Sequence, residues 1–371
     1  FGSSPFGSIN RTKFAFVPIF LHEYILLVMH CSRSFSGVSI IFGSIWSLST
    51  HVMNQVHATE FIEDHCALMQ VNHRMKARAW EKFDACQEVV QVKGSPKPMP
   101  AVGFGTCCRA TASGPPLIKS TKIYLNSGGR LIDTAQLYQN HEDVAVAMRE
   151  SEIPREDIWV TSKVLPDLCY NRSDVVKAID QSLKELELDY IDLMLLHWPD
   201  GGAPNVELWH GMLEAKRAGK IVNAGVSNYN QSDIEELINA TGEAPAVNQI
   251  QFNAWSDQSA QDLVTWLQGH GITVTAYDVL GGATGNAQGE ALDILAEKYQ
   301  VSNAQVSVRW ALDKGVAVLV GATSKEHILE DVNCSVPHLS ASDTYFLENS
   351  ERPTSWFFYP LAGRYDKTDK A

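Results

Sequence analysis

Between Met99 and Asn333 the chain alternates short apolar runs with amphipathic stretches. The apolar runs are Ala101–Thr106, Arg130–Ala135, Ile158–Val164, Ile191–His197, Ile221–Ser227, Ala246–Phe252, Thr273–Val279 and Val316–Ala322, eight in all. Most are continuous rather than alternating, as expected of parallel strands covered on both faces. Between them, Ser173–Leu186 sets Val175, Val176, Ile179, Leu183 and Leu186 at helical spacing, with Ser173 as the candidate N-cap. Ser232–Ala240 repeats the register with Ile234, Leu237 and Ile238, and similar patterns fill Pro116–Asn126, His141–Arg149, Val206–Ala218, Ala260–Gly269, Glu290–Tyr299 and Glu326–Val332. Gly128, Gly219, Gly271 and Gly315 stand just before strands, where a C′ glycine closes a helix.

Eight strand–helix units in this span predict an α/β fold, a (β/α)8 barrel. The rival, an open doubly wound sheet, wants a glycine-rich phosphate turn after the first strand. Gly103-Phe104-Gly105 lies within that strand instead. Val89–Val92 and Lys97–Met99, joined through Lys93-Gly94-Ser95, read as a β-hairpin that plugs the N-terminal mouth of the barrel.

The ends read differently, which divides the chain into a leader (1–88), a barrel (89–340) and an atypical tail (341–371). Arg11 and Lys13 precede an apolar run from Phe14 to Met29, which Pro18, His22 and Glu23 interrupt; a second run, Val38–Leu48, is shorter. Neither reaches the roughly 18 clean apolar residues of a spanning helix. The leader reads as poorly ordered or untranslated sequence, as a targeting segment, or as a membrane anchor, in that order.

Composition narrows the class. The 371 residues are 45% hydrophobic and 20% charged, which excludes disorder as the main state. The net charge of −13 argues against nucleic-acid or anionic-membrane partners. Residues 1–95 hold 8 basic and 7 acidic side chains, so the negative charge belongs to the rest. The seven cysteines (Cys31, Cys66, Cys86, Cys107, Cys108, Cys169 and Cys334) form no CxxC pair. An odd count without that spacing predicts neither a disulfide framework nor a metal site, hence reduced thiols and a cytoplasmic location, with organelle targeting by the leader as the variant.

In such a barrel, chemistry gathers at the C-terminal strand ends. The second exit offers Asp133 and Tyr138, the third Lys163 and the fourth His197; the fifth gives Ser227 and Asn228, the sixth Gln249 and the seventh Tyr277. Each alone has a bland explanation as a solvated or structural side chain. Together, Asp, Tyr, Lys and His at three adjacent exits converge on one spot. A lysine that pairs with an aspartate beside a phenol favours phenolate, which turns Tyr138 into a usable general acid.

The segments RLIDTAQLY, WVTSK, LLHWP, GVSNY, AVNQIQFN and TAYDVLG, in this order, resemble the aldo-keto reductases over Met99 to Asn333, roughly two thirds of the chain. The resemblance implies Asp133, Tyr138, Lys163 and His197 as the catalytic four. It implies Ser227, Asn228 and Gln249 as ligands of a nicotinamide carboxamide, with Tyr277 stacked on its ring. The implied activity is reduction of an aldehyde or ketone by NADP(H), with NAD(H) as the variant cofactor, in a monomer that uses no metal. A nicotinamide-binding, redox-sensing regulatory subunit is the alternative.

The chain also departs from the family. Where the family has a lysine and an arginine for the 2′-phosphate of NADP, Gly321 and His327 stand; Thr323, Ser324 and Lys325 remain to meet it. After the first strand come Cys107 and Cys108, read as small pocket residues with a vicinal redox pair as the lesser alternative. Cys107, Trp198, Phe252 and Trp255 are the expected lining of the substrate pocket. His338-Leu339-Ser340 resembles the start of the family's tail, and Tyr345–Ala371 does not continue it.

Overall fold

A computed structural model describes residues 86–108, 111–281 and 289–352. The readings of the leader up to Ala85 and of the tail from 353 onward therefore lie outside the described residues.

A short antiparallel hairpin comes first: β1 (Val89–Val90) pairs with β2 (Met99–Pro100). Its turn closes where Gly94 takes φ +79° and Ser95 N donates to Val92 O at 3.0 Å. The eight strands β3 (Val102–Gly105), β4 (Leu131–Asp133), β5 (Trp159–Val164), β6 (Ile191–Leu196), β7 (Ile221–Ser227), β8 (Val247–Gln251), β9 (Thr273–Tyr277) and β10 (Ala317–Val320) then form a closed barrel, with β10 beside β3. Every pairing within it is parallel. Val92 and Met99 of the hairpin pack with Leu131, Trp159, Leu193, Leu195, Val247, Ala317 and Leu319 into one buried cluster. The hairpin thus stops one mouth of the barrel, as the sequence predicts. Lys97 fixes it there through Asp192 at 2.8 Å, and Arg155 holds the other oxygen of that aspartate at 2.7 Å.

The helices are α1 (Gly114–Asn126), α2 (His141–Ser151), α3 (Arg172–Leu186), α4 (Asn205–Arg217), α5 (Gln231–Thr241), α6 (Gln258–Gly269), α7 (Glu290–Tyr299), α8 (Asn303–Asp313), α9 (Lys325–Val332) and α10 (Ala341–Glu348). Two details differ from the sequence reading. The cap of α3 is Asn171, whose side chain accepts from Asp174 N, because Asn171 rather than Ser173 has the extended backbone a cap needs. The seventh crossover carries two helices, the second opened by a capping box of Ser302 and Gln305. Gly103 explains itself as well: a Cβ there would overlap the Leu131 and Leu319 side chains that fill the barrel.

The expectation of reduced thiols is corrected. Cys86 and Cys334 are disulfide-bonded across 248 residues, and Cys169 is free and buried. Sequence spacing shows nothing of the bonded pair, because closing the barrel is what brings the end of α9 beside the entry to β1. Beyond Asn333, α10 docks on α7 and α8: Asp343 accepts from Lys298 at 2.7 Å and Tyr299 at 2.6 Å, and Glu348 from Trp310 at 2.9 Å.

Candidate active site

The strand register brings the predicted residues together at one end of the barrel. Asp133 ends β4, Lys163 is the penultimate residue of β5, His197 follows β6 and Ser227 ends β7. Lys163 Nζ donates to Asp133 Oδ1, and also to Thr134 O at 3.1 Å. Both members of this pair are almost completely buried. A 3-10 turn over Gln136–Tyr138 then swings Tyr138 back over the mouth. Gln136 pins that turn: its Nε2 donates to Ala178 O at 2.6 Å and Ser182 Oγ at 2.9 Å, and its Oε1 accepts from Leu165 N at 2.8 Å. Lys163 Nζ lies 5.0 Å from the Tyr138 ring centre, and the Tyr138 and His197 rings meet edge to face at 5.7 Å.

Burial sets the electrostatics. It pulls the Lys163 ammonium below its ordinary value, and the Asp133 carboxylate opposes that pull. His197 is pushed down to about 2, first by burial and then by the Lys163 charge. Its imidazole is therefore neutral at working pH. Its Nδ1 is buried with no hydrogen-bond partner among the described residues.

A second cluster adjoins the first. Ser227 Oγ and Asn228 N both donate to Gln249 O at 2.9 Å, and Asn228 Nδ2 donates to His197 O and Ser227 Oγ at 3.1 Å. Tyr277 OH donates to Asn228 Oδ1 at 2.8 Å, and burial raises the Tyr277 phenol. Gln249 Nε2 donates to Asp133 Oδ2 at 2.8 Å, which joins the two clusters. After β10, Thr323 Oγ1 lies 2.9 Å from Thr111 Oγ1, Ser324 caps α9 and Lys325 opens it; all three are exposed.

The sequence profile of the Aldo/keto reductase family matches residues 115–348, which contain all of these positions except Thr111. The chain belongs to the aldo/keto reductase family. A Schizosaccharomyces pombe NAD/NADP-dependent indole-3-acetaldehyde reductase is 34% identical over 255 residues, 66% of this chain and 88% of that protein. The Escherichia coli K12 methylglyoxal reductase DkgA is 34% identical over 235 residues, 63% of this chain and 82% of its own length. Among solved structures, a Brucella melitensis aldo/keto reductase superposes with a TM-score of 0.63 at 30% identity, over 70% of this chain and 98% of that one. A Bombyx mori aldo-keto reductase in complex with NADP does so with 0.64 at 28% identity, over 70% and 92%.

Within this aldo/keto reductase, the four expected pocket residues take different places. Trp198 is half-buried over His197, with ring centres 4.6 Å apart and Nε1 donating to Asp167 at 3.0 Å. Trp255 is half-buried, lies against Gly281 and donates to Ser350 Oγ at 3.1 Å. Cys107 is half-buried just past β3. Phe252 is not brought to them: it is fully buried, 5.1 Å from Trp310 of α8, which leaves it no surface to offer a ligand. That contact depends on α8, which the sequence pattern does not announce. Sequence reasoning also misses a supporting layer in which Thr134 Oγ1 donates to Asn140 Oδ1 at 2.7 Å and Asn140 Nδ2 to Thr106 O at 3.1 Å. The TAQLYQN segment holds both residues, and nothing in its spacing announces the contact.

Proposed function

We propose that this chain is an NADP(H)-dependent carbonyl reductase that acts as a monomer on small aldehydes or ketones and gives the alcohol, with Tyr138 as general acid. One observation carries the reading: Tyr138, the buried Lys163–Asp133 pair and a neutral His197 meet at one end of a closed barrel. The names of the relatives, an NAD/NADP-dependent aldehyde reductase and a methylglyoxal reductase, support it, as does the NADP complex of the Bombyx mori structure.

The residues present fit a nicotinamide dinucleotide. Ser227, Asn228 and Gln249 offer a hydroxyl and two amides beside the proton-donor set, which match the donor and acceptor ends of a carboxamide. The phenol of Tyr277 closes that patch from β9. At the start of α9, Thr323, Ser324 and Lys325 offer two hydroxyls and an ammonium at the positive end of a helix, which suits a phosphate. When bound, the cofactor supplies a hydride for the carbonyl carbon.

The chain's own residues do the rest. Tyr138 gives its Oη proton to the carbonyl oxygen as negative charge develops there. The Lys163 ammonium, held by Asp133, lowers the cost of the phenolate that remains. His197 orients the carbonyl as a neutral imidazole, since its depressed proton affinity forbids a competing cation. A redox sensor would bind cofactor without needing this proton-donor set, so its presence favours turnover. Purified protein mixed with NADPH and a panel of small aldehydes, followed by absorbance at the nicotinamide band, tests the reading. Turnover is the expected result; tight NADPH binding without turnover across the panel would overturn it in favour of the sensor.

A further inference from the structure

Gln249 makes a contact that its expected part as a carboxamide ligand does not require. Its Nε2 reaches Asp133 Oδ2 at 2.8 Å from a chain position 116 residues away. Lys163 takes the other oxygen of the same carboxylate. Both Asp133 and Gln249 are buried, at 2% and 3% exposure. An ionised carboxylate only accepts, so the amide must turn its nitrogen to Asp133 and its oxygen elsewhere. The Gln249 backbone is fixed too, since its carbonyl accepts from both Ser227 Oγ and Asn228 N.

We propose that Gln249 is a positioning residue for proton transfer: its Nε2 locks the Asp133 carboxylate that holds Lys163 against Tyr138, and its Oε1 is left to accept from the carboxamide nitrogen of the cofactor. The inference rests on the carbonyl-reductase reading and deepens it. The same side chain then touches both the cofactor and the support of the proton donor. Cofactor seating and proton-donor geometry become one arrangement rather than two. The hydrogen bond fixes the Asp133 carboxylate in a site where burial works against the Lys163 charge that it holds. Without it, the carboxylate keeps a single side-chain anchor, and the Lys163 ammonium is no longer held in place beside the Tyr138 ring.

The other titratable groups facing this set are few. Tyr138 follows β4, His197 follows β6, Tyr277 ends β9 with Asp278 behind it, and His141 of α2 feels the Lys163 charge. Burial keeps His197 and His141 below their ordinary values and raises Tyr277 and Asp278. Recovery of a Gln249 variant on acidification would therefore come from position 249 and Asp133 themselves.

The test uses the full chain and two variants. Gln249→Glu keeps an acceptor for the cofactor and replaces the donor by a carboxylate facing Asp133; a proton shared by the two carboxyl groups restores the donor as pH falls. Gln249→Met removes the donor without adding charge. At pH 8 both should lower kcat for aldehyde reduction by about 10- to 100-fold, the range for losing a hydrogen bond to a charged group. At pH 5.5 the Glu variant should recover to within about threefold of wild type, and the Met variant should not. NADPH affinity of the Glu variant, from fluorescence titration at pH 5.5, should also stay within about threefold of wild type. In the Asp133→Asn background, Gln249→Glu should add little further loss, because both act on one contact. A Glu variant with the same loss at every pH, or losses that multiply with Asp133→Asn, would overturn the positioning inference while wild-type turnover stands. If the Glu variant does not fold, a Met variant within threefold of wild-type kcat overturns it equally. A wild-type protein that turns over no aldehyde would instead overturn the carbonyl-reductase reading, and this inference with it.

Discussion

Replacing Lys163 by Met keeps most of the side-chain stem and deletes one charge from a pair that is 1% and 3% exposed. Among the described residues, the Asp133 carboxylate then keeps only the Gln249 Nε2 bond, and Thr134 O loses the Lys163 donor. Breaking a buried pair from one side costs about 3–5 kcal/mol. An upper bound follows from protonation. Asp133 can escape the penalty by taking a proton, which costs about 1.4 kcal/mol per pH unit above its ordinary value near 3.9. That is about 4 kcal/mol at pH 7 and about 1.5 kcal/mol at pH 5. In the variant the folded-state affinity of Asp133 for a proton is raised, so stability is kept below the ordinary carboxylate value and lost as pH rises. With about 2–4 °C per kcal/mol for a domain of this size, Tm should fall by about 8–16 °C at pH 7 and about 3–6 °C at pH 5. Pairing the change with Asp133→Leu removes the orphaned charge and should restore most of the loss at pH 7. Circular dichroism melts at the two pH values measure this. A single variant that melts within about 2 °C of wild type at pH 7, or a deficit that does not change with pH, would refute the argument.

Three further outcomes follow from the same geometry. Tyr138→Phe keeps the ring contacts with Lys163 and His197 and removes only the hydroxyl; aldehyde reduction should fall by about 10² to 10⁴ while Tm and NADPH affinity barely move, and activity within threefold of wild type would remove Tyr138 as the acid. His197, pushed down to about 2, should take up no proton between pH 5 and 8 in the folded protein, so its ring resonances should stay constant in NMR over that range. The unfolded chain protonates this histidine near 6.5, so its burial withdraws stability as pH falls below that value. Lys325→Ala should weaken NADPH binding more than NADH binding, by a factor of about 5 to 10, if the exposed ammonium at the start of α9 meets the 2′-phosphate as proposed; equal losses by fluorescence titration would exclude Lys325 from that site.

Several errors of the sequence reading share a cause. Asn171 and Ser173 both have cap chemistry, and only the backbone path selects Asn171. The eight repeats announce one helix per crossover, so neither Asn303–Asp313 nor the packing of Phe252 on its Trp310 is legible in the pattern. The bonded pair Cys86–Cys334 lies 248 residues apart, so parity and spacing arguments cannot reach it.

What the sequence determined by itself is local and periodic. Continuous β-branched runs specify strands buried on both faces, glycines at φ +94°, +74°, +70° and +71° close the helices before them, and eight repeats leave little but a barrel. The residue types at the strand exits were legible for the same reason, since a core does not choose Asp, Lys and His. Tertiary structure alone decided how those side chains meet. It put Lys163 on one oxygen of Asp133 and Gln249 on the other, and used Gln136 to fold Tyr138 over both. It also buried His197 beside the Lys163 charge, which together push the imidazole toward its neutral form. Periodicity fixes which face of a strand is buried, whereas charge state depends on desolvation and on neighbours across the barrel, and these exist only once it has closed.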